Sequence, residues 1–207
     1  MKLVYQDMPA PAPGVPAVVL HREAMTSVDG PAGVAQASAG VGRVVAPYGD
    51  YAYYPSGMEV GGICWYRVLP GFAGTDPISL AKAVVQVCDL LDDLELQRPV
   101  LIGWGQGGVV AVGAGLLRAG QVGSVVSVDA PSGHFELLPG RARAAEARPP
   151  MLLATTAPSG GPVLDQQRRV LSAGDRVPIT WCCPAEGTPD DRDKALSSRI
   201  GQWLDGG

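Results

Sequence analysis

The sequence is poor in histidine, basic clusters and long apolar runs, and each shortage excludes a class of protein. Only two histidines occur and no cysteine lies in a C-x-x-C pair, so we expect no zinc site and no other cofactor. No lysine or arginine cluster is present to follow phosphates, and the net charge is −4. Residues 1–14 lack the apolar segment of a secretory signal, and no run is long enough to cross a bilayer. We therefore expect a cytoplasmic protein that binds neither nucleic acid nor membrane.

The remaining composition is that of a globular domain. Apolar residues make up 46% and charged residues 17% of a chain of 207 residues, enough for one core. Short continuous apolar runs suit strands that are buried on both faces of a parallel sheet. These runs are 17–20, 43–46, 99–103, 124–128, 151–155 and 177–182. Because helix patterns separate them, we predict one α/β domain over residues 1–207, a doubly wound, mostly parallel sheet without a large cap.

Three helices have clear sequence signals. Residues 77–94 repeat apolar positions at spacings of three and four, and Asp76 is placed to cap that helix. A second helix is predicted from about Gly107 to Arg118, and a third from about Asp190 to Leu204. The aromatic-rich stretch 47–70 has no regular pattern, and it is either the border of a site or a surface loop.

The central motif is a glycine-rich turn between a predicted strand and a predicted helix. In the pattern G-x-S-x-G, flanking glycines allow a sharp turn that presents a nucleophilic serine at a helix N-terminus. Here Gly103 and Gly107 hold the flanking positions, with Trp104 and Gln106 between them. The middle residue is Gly105, which has no side-chain atom that could attack a substrate.

Five segments resemble, in order, the bacterial phospholipase/carboxylesterase family of α/β hydrolases. Residues 101–108 (LIGWGQGG) are similar to its L-x-G-F-S-Q-G-G segment. Residues 18–25 resemble its V-x-L-H-G strand end, and 44–52 its V-x-A-P-x-G-P loop. Residues 64–67 and 76–84 resemble its W-F/Y segment and the helix before the elbow. The resemblance implies an α/β-hydrolase fold, with an oxyanion-hole donor near the strand end.

The chain departs from the family pattern at every catalytic position. Gly105 replaces the serine, and Arg22 replaces the glycine after His21. The turn that holds the family's acid corresponds to 154–159, which has no carboxylate. The stretch that holds the family's histidine corresponds to 184–190, which has no histidine. The resemblance therefore predicts a hydrolase frame whose nucleophile, base and orienting acid are all missing.

From these departures we predict a non-hydrolytic protein that binds a small molecule or a protein partner. A homo-oligomer and a hetero-oligomer are both compatible with this prediction. The predicted pocket consists of the elbow residues 103–107 together with His21, Arg22, Trp65 and Tyr66. Trp65, Tyr66 and Trp104 either line this pocket or pack in the core. The backbone N–H of Gln106 would favour a ligand carboxylate or enolate there. Glu23 can point into the same crevice, although a solvated carboxylate is the simpler interpretation.

Three alternatives stay open. His134 follows a predicted strand, so it could move protons in a cofactor-free cyclase, lyase or isomerase. Residues 103–108 also read G-x-G-x-x-G, with Asp129 further on as a ribose acid, which is typical of dinucleotide binding. The chain could instead be a structural subunit that pairs with an active homologue.

Overall fold

The computed structural model describes residues 2–9, 13–25, 27–54, 61–68, 75–157, 160–172, 178–182 and 188–205. The strands in these ranges are β1 Tyr5–Met8, β2 Val15–Leu20, β3 Val41–Pro47, β4 Tyr51–Tyr53, β5 Gly62–Cys64, β6 Val100–Trp104, β7 Ser124–Val128, β8 Met151–Thr155 and β9 Ile179–Cys182. The helices are α1 Asp29–Ala37, α2 Pro77–Leu94, α3 Gln106–Leu117, α4 Gly140–Arg143, α5 Gly161–Leu171 and α6 Pro189–Asp205, and a 3₁₀ helix spans Ser132–Leu137. None of the helices in these ranges is both long and apolar enough to span a membrane.

Seven strands form one sheet in the order β1-β3-β2-β6-β7-β8-β9. Only β1 runs antiparallel to its neighbour, and the other adjacent strands are parallel. The pair β4–β5 forms a separate antiparallel hairpin. The parallel part begins at β2, moves outward to β3 and returns to β6, so its direction of growth reverses between β2 and β6. This topology confirms the predicted doubly wound, mostly parallel α/β sheet.

Apolar side chains from both faces of the sheet form two core layers. Helices α2, α3 and α5 pack on one face, and α1 and α6 pack on the other. Within β2, Val18 and Leu20 point to the first layer, whereas Ala17 and Val19 point to the second. A strand covered on both sides is apolar at nearly every position, which explains the apolar runs of the sequence.

The three helices with clear signals lie where the sequence predicts them. Helix α2 has the predicted bounds, and the N–H of Ile78 donates to Oδ1 of Asp76 at 3.0 Å. Helix α3 begins one residue before the predicted start, at Gln106, and α6 begins at Pro189. Local capping and periodicity are therefore sufficient to define these elements.

The sequence pattern does not predict β1, α1, α5 or the β4–β5 hairpin. Strand β1 alternates exposed and half-buried residues because it lies at the sheet edge. Helix α1 contains two glycines and a proline, which lower its helix propensity. The hairpin corrects the expectation of an irregular stretch at 47–70, of which residues 55–60, 69 and 70 lie outside the described ranges. The predicted strand at 177–182 begins at Ile179, and Val177 lies outside the described residues.

The cap of α2 gives a stability prediction. Replacing Asp76 with Ala should lower the free energy of unfolding by about 1 kcal/mol, because the Ile78 N–H loses its side-chain acceptor. Asp76→Asn keeps an acceptor oxygen and should stay within about 0.5 kcal/mol of the parent. Urea unfolding followed by circular dichroism measures both variants. Equal losses in the two variants would show that the cap contributes nothing beyond general packing.

Candidate functional site

The turn between β6 and α3 has a sharp and unusual backbone geometry. Gly105 has φ +53° and ψ −121°, a region that residues with a Cβ rarely adopt. Its N–H donates to the carbonyl oxygen of Val128 on the neighbouring strand at 2.8 Å. Helix α3 begins at Gln106, so its first N–H groups face the space above the turn. The structure thus places Gly105 at the tip of the elbow that the sequence predicts.

The flanking glycines let the helix approach the sheet closely. A Cβ on Gly107 would collide with the carbonyl oxygens of Leu20 and His21 at the end of β2. A Cβ on Gly103 would collide with the carbonyl oxygen of Gly107. These contacts fix α3 directly against the end of β2, so the residues that follow β2 reach the elbow.

The elbow lies at the reversal point of the sheet. In the parallel register of β2 and β6, Leu20 is the partner of Gly103. Residues 21–23 therefore leave the carboxyl edge of the sheet beside residues 104–106. In open α/β sheets the crevice at such a reversal point is where ligands bind. The site is therefore placed by topology as well as by the motif.

Glu23 fills the space above the elbow. Its Oε2 accepts a hydrogen bond from the backbone N–H of Gln106 at 3.0 Å. A Cβ built on Gly105 would collide with the same Oε2 atom, and it would lie 3.2 Å from Cβ of Arg22. The Glu23 carboxylate thus occupies the position that a side chain at residue 105 would take. The sequence-based expectation of a ligand carboxylate on this N–H is corrected, because the chain supplies the carboxylate itself.

The loop after β2 holds Glu23 in this orientation. Ala24 has φ +60°, a left-handed conformation that is unfavourable for a residue with a Cβ. Met25 then forms a bridge to Ile63 of β5, whose N–H donates to the Met25 carbonyl at 3.0 Å. Gly62 packs directly on the Ala24 backbone, where a Cβ would lie 2.7 Å from the Ala24 carbonyl carbon. The β4–β5 hairpin therefore braces the strained loop from outside the main sheet.

His21 is a buried structural histidine. The N–H of Gly49 donates to its Nε2 at 2.8 Å, so the ring is neutral and its proton lies on Nδ1. That Nδ1–H donates to the carbonyl oxygen of Arg22 at 2.6 Å. The ring stacks on Trp65 with a centroid distance of 5.0 Å. Burial lowers the pKa of His21, which keeps the neutral form at neutral pH.

The side chain of Gln106 points away from the crevice and into the core. Its Oε1 accepts hydrogen bonds from the backbone N–H groups of Trp65 at 3.0 Å and Tyr66 at 3.2 Å. The indole N–H of Trp65 donates to the carbonyl oxygen of His21 at 2.8 Å. Gln106 therefore has two separate functions, since its backbone binds Glu23 and its side chain anchors the segment after β5.

The three aromatic residues predicted to line the pocket are core residues. Trp65 and Tyr66 are 1% and 0% exposed and pack under α2 and α3. Trp104 is 7% exposed and belongs to the core layer on the opposite face of the sheet. This burial favours the core-packing interpretation of the three residues over pocket lining. Of the predicted pocket residues, Arg22 is the exposed one.

His134 connects the 3₁₀ helix after β7 to two buried hydroxyl groups. Its Nδ1 lies 2.7 Å from the Tyr66 hydroxyl, and its Nε2 lies 2.9 Å from Oγ1 of Thr75. Burial lowers the pKa of His134, and the charge of Glu23 opposes this shift only in part. A neutral imidazole has one donor and one acceptor, and the two hydroxyls use both. This arrangement leaves no ring nitrogen for a ligand and does not favour the proton-carrier role.

Asp129 is fully engaged within the chain. Oδ1 accepts hydrogen bonds from Oγ1 of Thr155 at 2.9 Å and from the N–H of Thr156 at 2.8 Å. Oδ2 accepts a third from Oγ1 of Thr156 at 2.6 Å. A ribose hydroxyl would have to share the carboxylate with these three donors, and a pyrophosphate at α3 would meet the carboxylate of Glu23. Both contacts argue against the dinucleotide interpretation of residues 103–108.

The remaining candidate groups offer no activated nucleophile. Burial raises the pKa of the Cys64 thiol to about 11, so the thiol stays protonated at neutral pH. Within the described ranges no three His, Cys, Asp or Glu side chains lie close enough together to hold a metal ion. Residues 158 and 159 of the turn after β8, and 184–187 of the stretch before α6, lie outside the described residues.

Sequence reasoning gave Glu23 too little weight and missed Thr75. The signal for Glu23 is positional, because it lies three residues after Leu20, as Gln106 lies three residues after Gly103. When two strand residues are paired, the residues that follow each of them by the same number of positions are candidates for contact. Thr75 has no such signal, since it contacts a histidine 59 positions away.

Comparison with known proteins identifies the fold. No protein-family profile matches the chain, and no curated protein is recognisably similar to it in sequence. A carboxylesterase from Mesorhizobium loti superposes with a TM-score of 0.71 at 16% identity, covering 98% of this chain and 94% of that chain. An acyl-protein thioesterase 2 from Zea mays gives 0.67 at 12% identity, covering 98% of both chains. A Bacillus cereus carboxylesterase gives 0.65 at 13%, covering 99% and 94%. The chain therefore has the α/β-hydrolase fold.

The elbow geometry predicts a coupled stability effect. Gly105→Ala should lower the free energy of unfolding by about 1–3 kcal/mol, because alanine is strained at this φ and its Cβ collides with Glu23. The loss should be smaller in a Glu23→Ala background, where the collision is removed. Gly33→Ala in α1 is the control, since its Cβ meets nothing within 4 Å and should be neutral or slightly stabilising. Strictly additive losses in urea unfolding would contradict the proposed contact.

The lowered pKa values of His21 and His134 predict that the free energy of unfolding falls on mild acidification. Burial lowers both imidazole pKa values below the ordinary 6.5, so the unfolded chain binds these protons more readily. Their contribution to stability is complete above pH 6.5 and is lost as the pH falls through the lowered values. The urea midpoint should thus decrease between about pH 7 and pH 5. His134→Gln should reduce this slope, and an unchanged slope would refute its assignment to His134.

Proposed function

We propose that this α/β-hydrolase-fold protein is not a hydrolase and that it binds a small molecule in a crevice beside the elbow, next to the Glu23 carboxylate. The observation that supports the proposal is the Glu23 carboxylate, which lies above Gly105 and accepts the Gln106 N–H. In an esterase of this fold that space holds the nucleophile, and that N–H stabilises the oxyanion. Here the Glu23 carboxylate occupies that space and accepts the hydrogen bond of that N–H.

The sequence supports the same proposal at the other two catalytic positions. The chain has two histidines, and neither fits the role of a general base for residue 105. His21 uses both ring nitrogens in structural hydrogen bonds, and His134 lies between two hydroxyl groups. The turn after β8 begins Thr155-Thr156-Ala157, without a carboxylate that could orient a base. An acyl-enzyme route therefore lacks its nucleophile, its base and its orienting acid.

The fold nevertheless favours a ligand in this place. The crevice lies at the carboxyl edge of a parallel sheet, at the point where the strand order reverses. Ala24, which lies beside this crevice, has a left-handed backbone conformation with φ +60°. Strained backbone concentrates at functional sites, where surrounding structure holds it in place. A binding function is consistent with both features.

The catalytic half of the proposal is tested with ester and thioester substrates. Purified protein should hydrolyse p-nitrophenyl esters and acyl thioesters no faster than heat-inactivated protein, and a fluorophosphonate probe should not label it. Gly105→Ser should not restore turnover, because no base is available to activate the hydroxyl. Turnover that survives purification and disappears in Cys64→Ala or His134→Ala would overturn the proposal.

The binding half is tested by titration with a metabolite extract, monitored by the amide resonances of the isotope-labelled protein. We expect shifts to concentrate at Gly105, Gln106 and residues 21–25, which surround the crevice. Gly133, on the 3₁₀ helix, serves as an internal reference position. Shifts confined to other surfaces would contradict a site at the elbow.

A further inference from the structure

We propose that the protein has a second binding site, a groove between β1 and α2 that takes a linear aliphatic diamine or polyamine. This β1–α2 groove is a cavity of about 460 Å³. Its lining includes Leu3, Gln86, Asp89, Leu90, Asp93 and Leu94. Strands β3 and β2 lie between β1 and the elbow strand β6 in the sheet, so the groove is separate from the elbow. The proposal is therefore independent of the function proposed for the elbow.

Gln86 lies in the wall of the β1–α2 groove with one end of its side chain unpaired. The residue is only 8% exposed, and its Nε2 donates to Oδ2 of Asp50 at 3.3 Å. Its Oε1 has no hydrogen-bond partner in the part of the chain that the structure describes. Reversing the amide would place this oxygen against the Asp50 carboxylate, so the acceptor stays at the other end. Buried carbonyl oxygens are normally paired, and a ligand N–H would supply the missing donor.

Carboxylates form the rim of the β1–α2 groove along α2. Asp89 and Asp93 lie about one helical turn apart, and both line the cavity. Asp93 pairs with the ammonium group of Lys2 at 3.0 Å, whereas Asp89 has no ion pair among the described residues. Lys2 is 84% exposed, so this ion pair is weak and another ammonium group can replace it. The rim therefore already holds one alkylammonium group and offers an unpaired carboxylate for a second.

The floor of the groove is apolar, and its length selects the occupant. Leu3 and Leu90 are buried, and Leu94 continues the same apolar surface. Between Gln86 and Asp93 the helix advances about 10 Å, at 1.5 Å per residue. Methylene groups can cover this floor while an ammonium group at each end meets the amide oxygen and the carboxylates. An anionic ligand would be repelled by the rim. The described acids are not grouped closely enough to hold a metal ion, which favours an elongated organic cation.

Three linear compounds with the same eight-carbon chain and different charges test the proposal. Octanediamine, octanediol and suberate are titrated into the isotope-labelled protein at neutral pH and low ionic strength, and the amide resonances of Leu3, Gln86 and Leu90 report binding in the groove. We expect octanediamine to bind about tenfold or more tightly than octanediol, since hydrogen bonds from a charged donor contribute that much. Suberate should produce no saturable shift at these amides.

Gln86→Leu is the decisive variant, because it removes the buried acceptor and leaves every carboxylate of the rim in place. Octanediamine should lose about tenfold in affinity, and circular dichroism checks that the fold persists. Asp89→Asn changes an exposed residue, so it does not endanger the fold, and it should weaken binding about two- to fivefold. Asp165→Asn is the matched control, because Asp165 is an exposed carboxylate on α5 and its removal should leave the affinity unchanged.

Lys2→Ala gives a result of opposite sign. Octanediamine should bind about two- to fivefold more tightly, because Asp93 no longer has an ammonium partner of its own. A failure of octanediamine to bind, or equal affinity for octanediol or suberate, would overturn the proposal. A diffuse attraction to surface acids would leave the affinity unchanged in Gln86→Leu, and that result would overturn it as well. If Gln86→Leu does not fold, equal affinities of Asp89→Asn and the parent would have the same force.

Discussion

The close approach of α3 to the end of β2 is the constraint on which the site depends. Because Gly107 has no side chain, the helix rests against the carbonyl oxygens of Leu20 and His21, and its N-terminus opens beside the loop that follows β2. Glu23 then reaches the Gln106 N–H at 3.0 Å. A carboxylate at this end of a helix is favoured by the exposed N–H groups and the helix dipole. The same approach orients Gln106 so that its side chain secures the segment around Trp65.

The contact between Glu23 and the Gln106 N–H alters the electrostatics of the elbow, whereas the sheet and the turn keep the geometry of the fold. A hydrolase of this fold uses the helix N-terminus for a negative charge that develops only during the reaction. In this chain the Glu23 carboxylate accepts the Gln106 N–H at 3.0 Å, so under the proposed function this donor binds the chain's own side chain. The shape similarity to esterases and a thioesterase is therefore compatible with a different function. Fold alone does not decide what a crevice does, because a few side chains set its electrostatics.

The sequence predicts those features whose signals are local. The elbow follows from the spacing of Gly103, Gly105 and Gly107, and α2 follows from its apolar period and the Asp76 cap. The sequence does not predict contacts between residues that are far apart in the chain. The orientation of Glu23 depends on a left-handed Ala24 that the β4–β5 hairpin braces, and the two three-residue strands of this separate hairpin leave a weak sequence pattern. His134 meets hydroxyl groups 59 and 68 positions away, which no local motif indicates.

The shape of the elbow does not require a catalytic role for residue 105. Its N–H bond to Val128 and the glycine contacts of α3 are packing requirements of the sheet and helix, and they apply whether or not a nucleophile is present. At φ +53° a serine would add strain of about 1–3 kcal/mol, which a catalytic benefit must offset. Glycine removes that strain and also makes room for the Glu23 carboxylate. In the absence of a catalytic benefit at residue 105, stability therefore favours glycine at the tip of this turn.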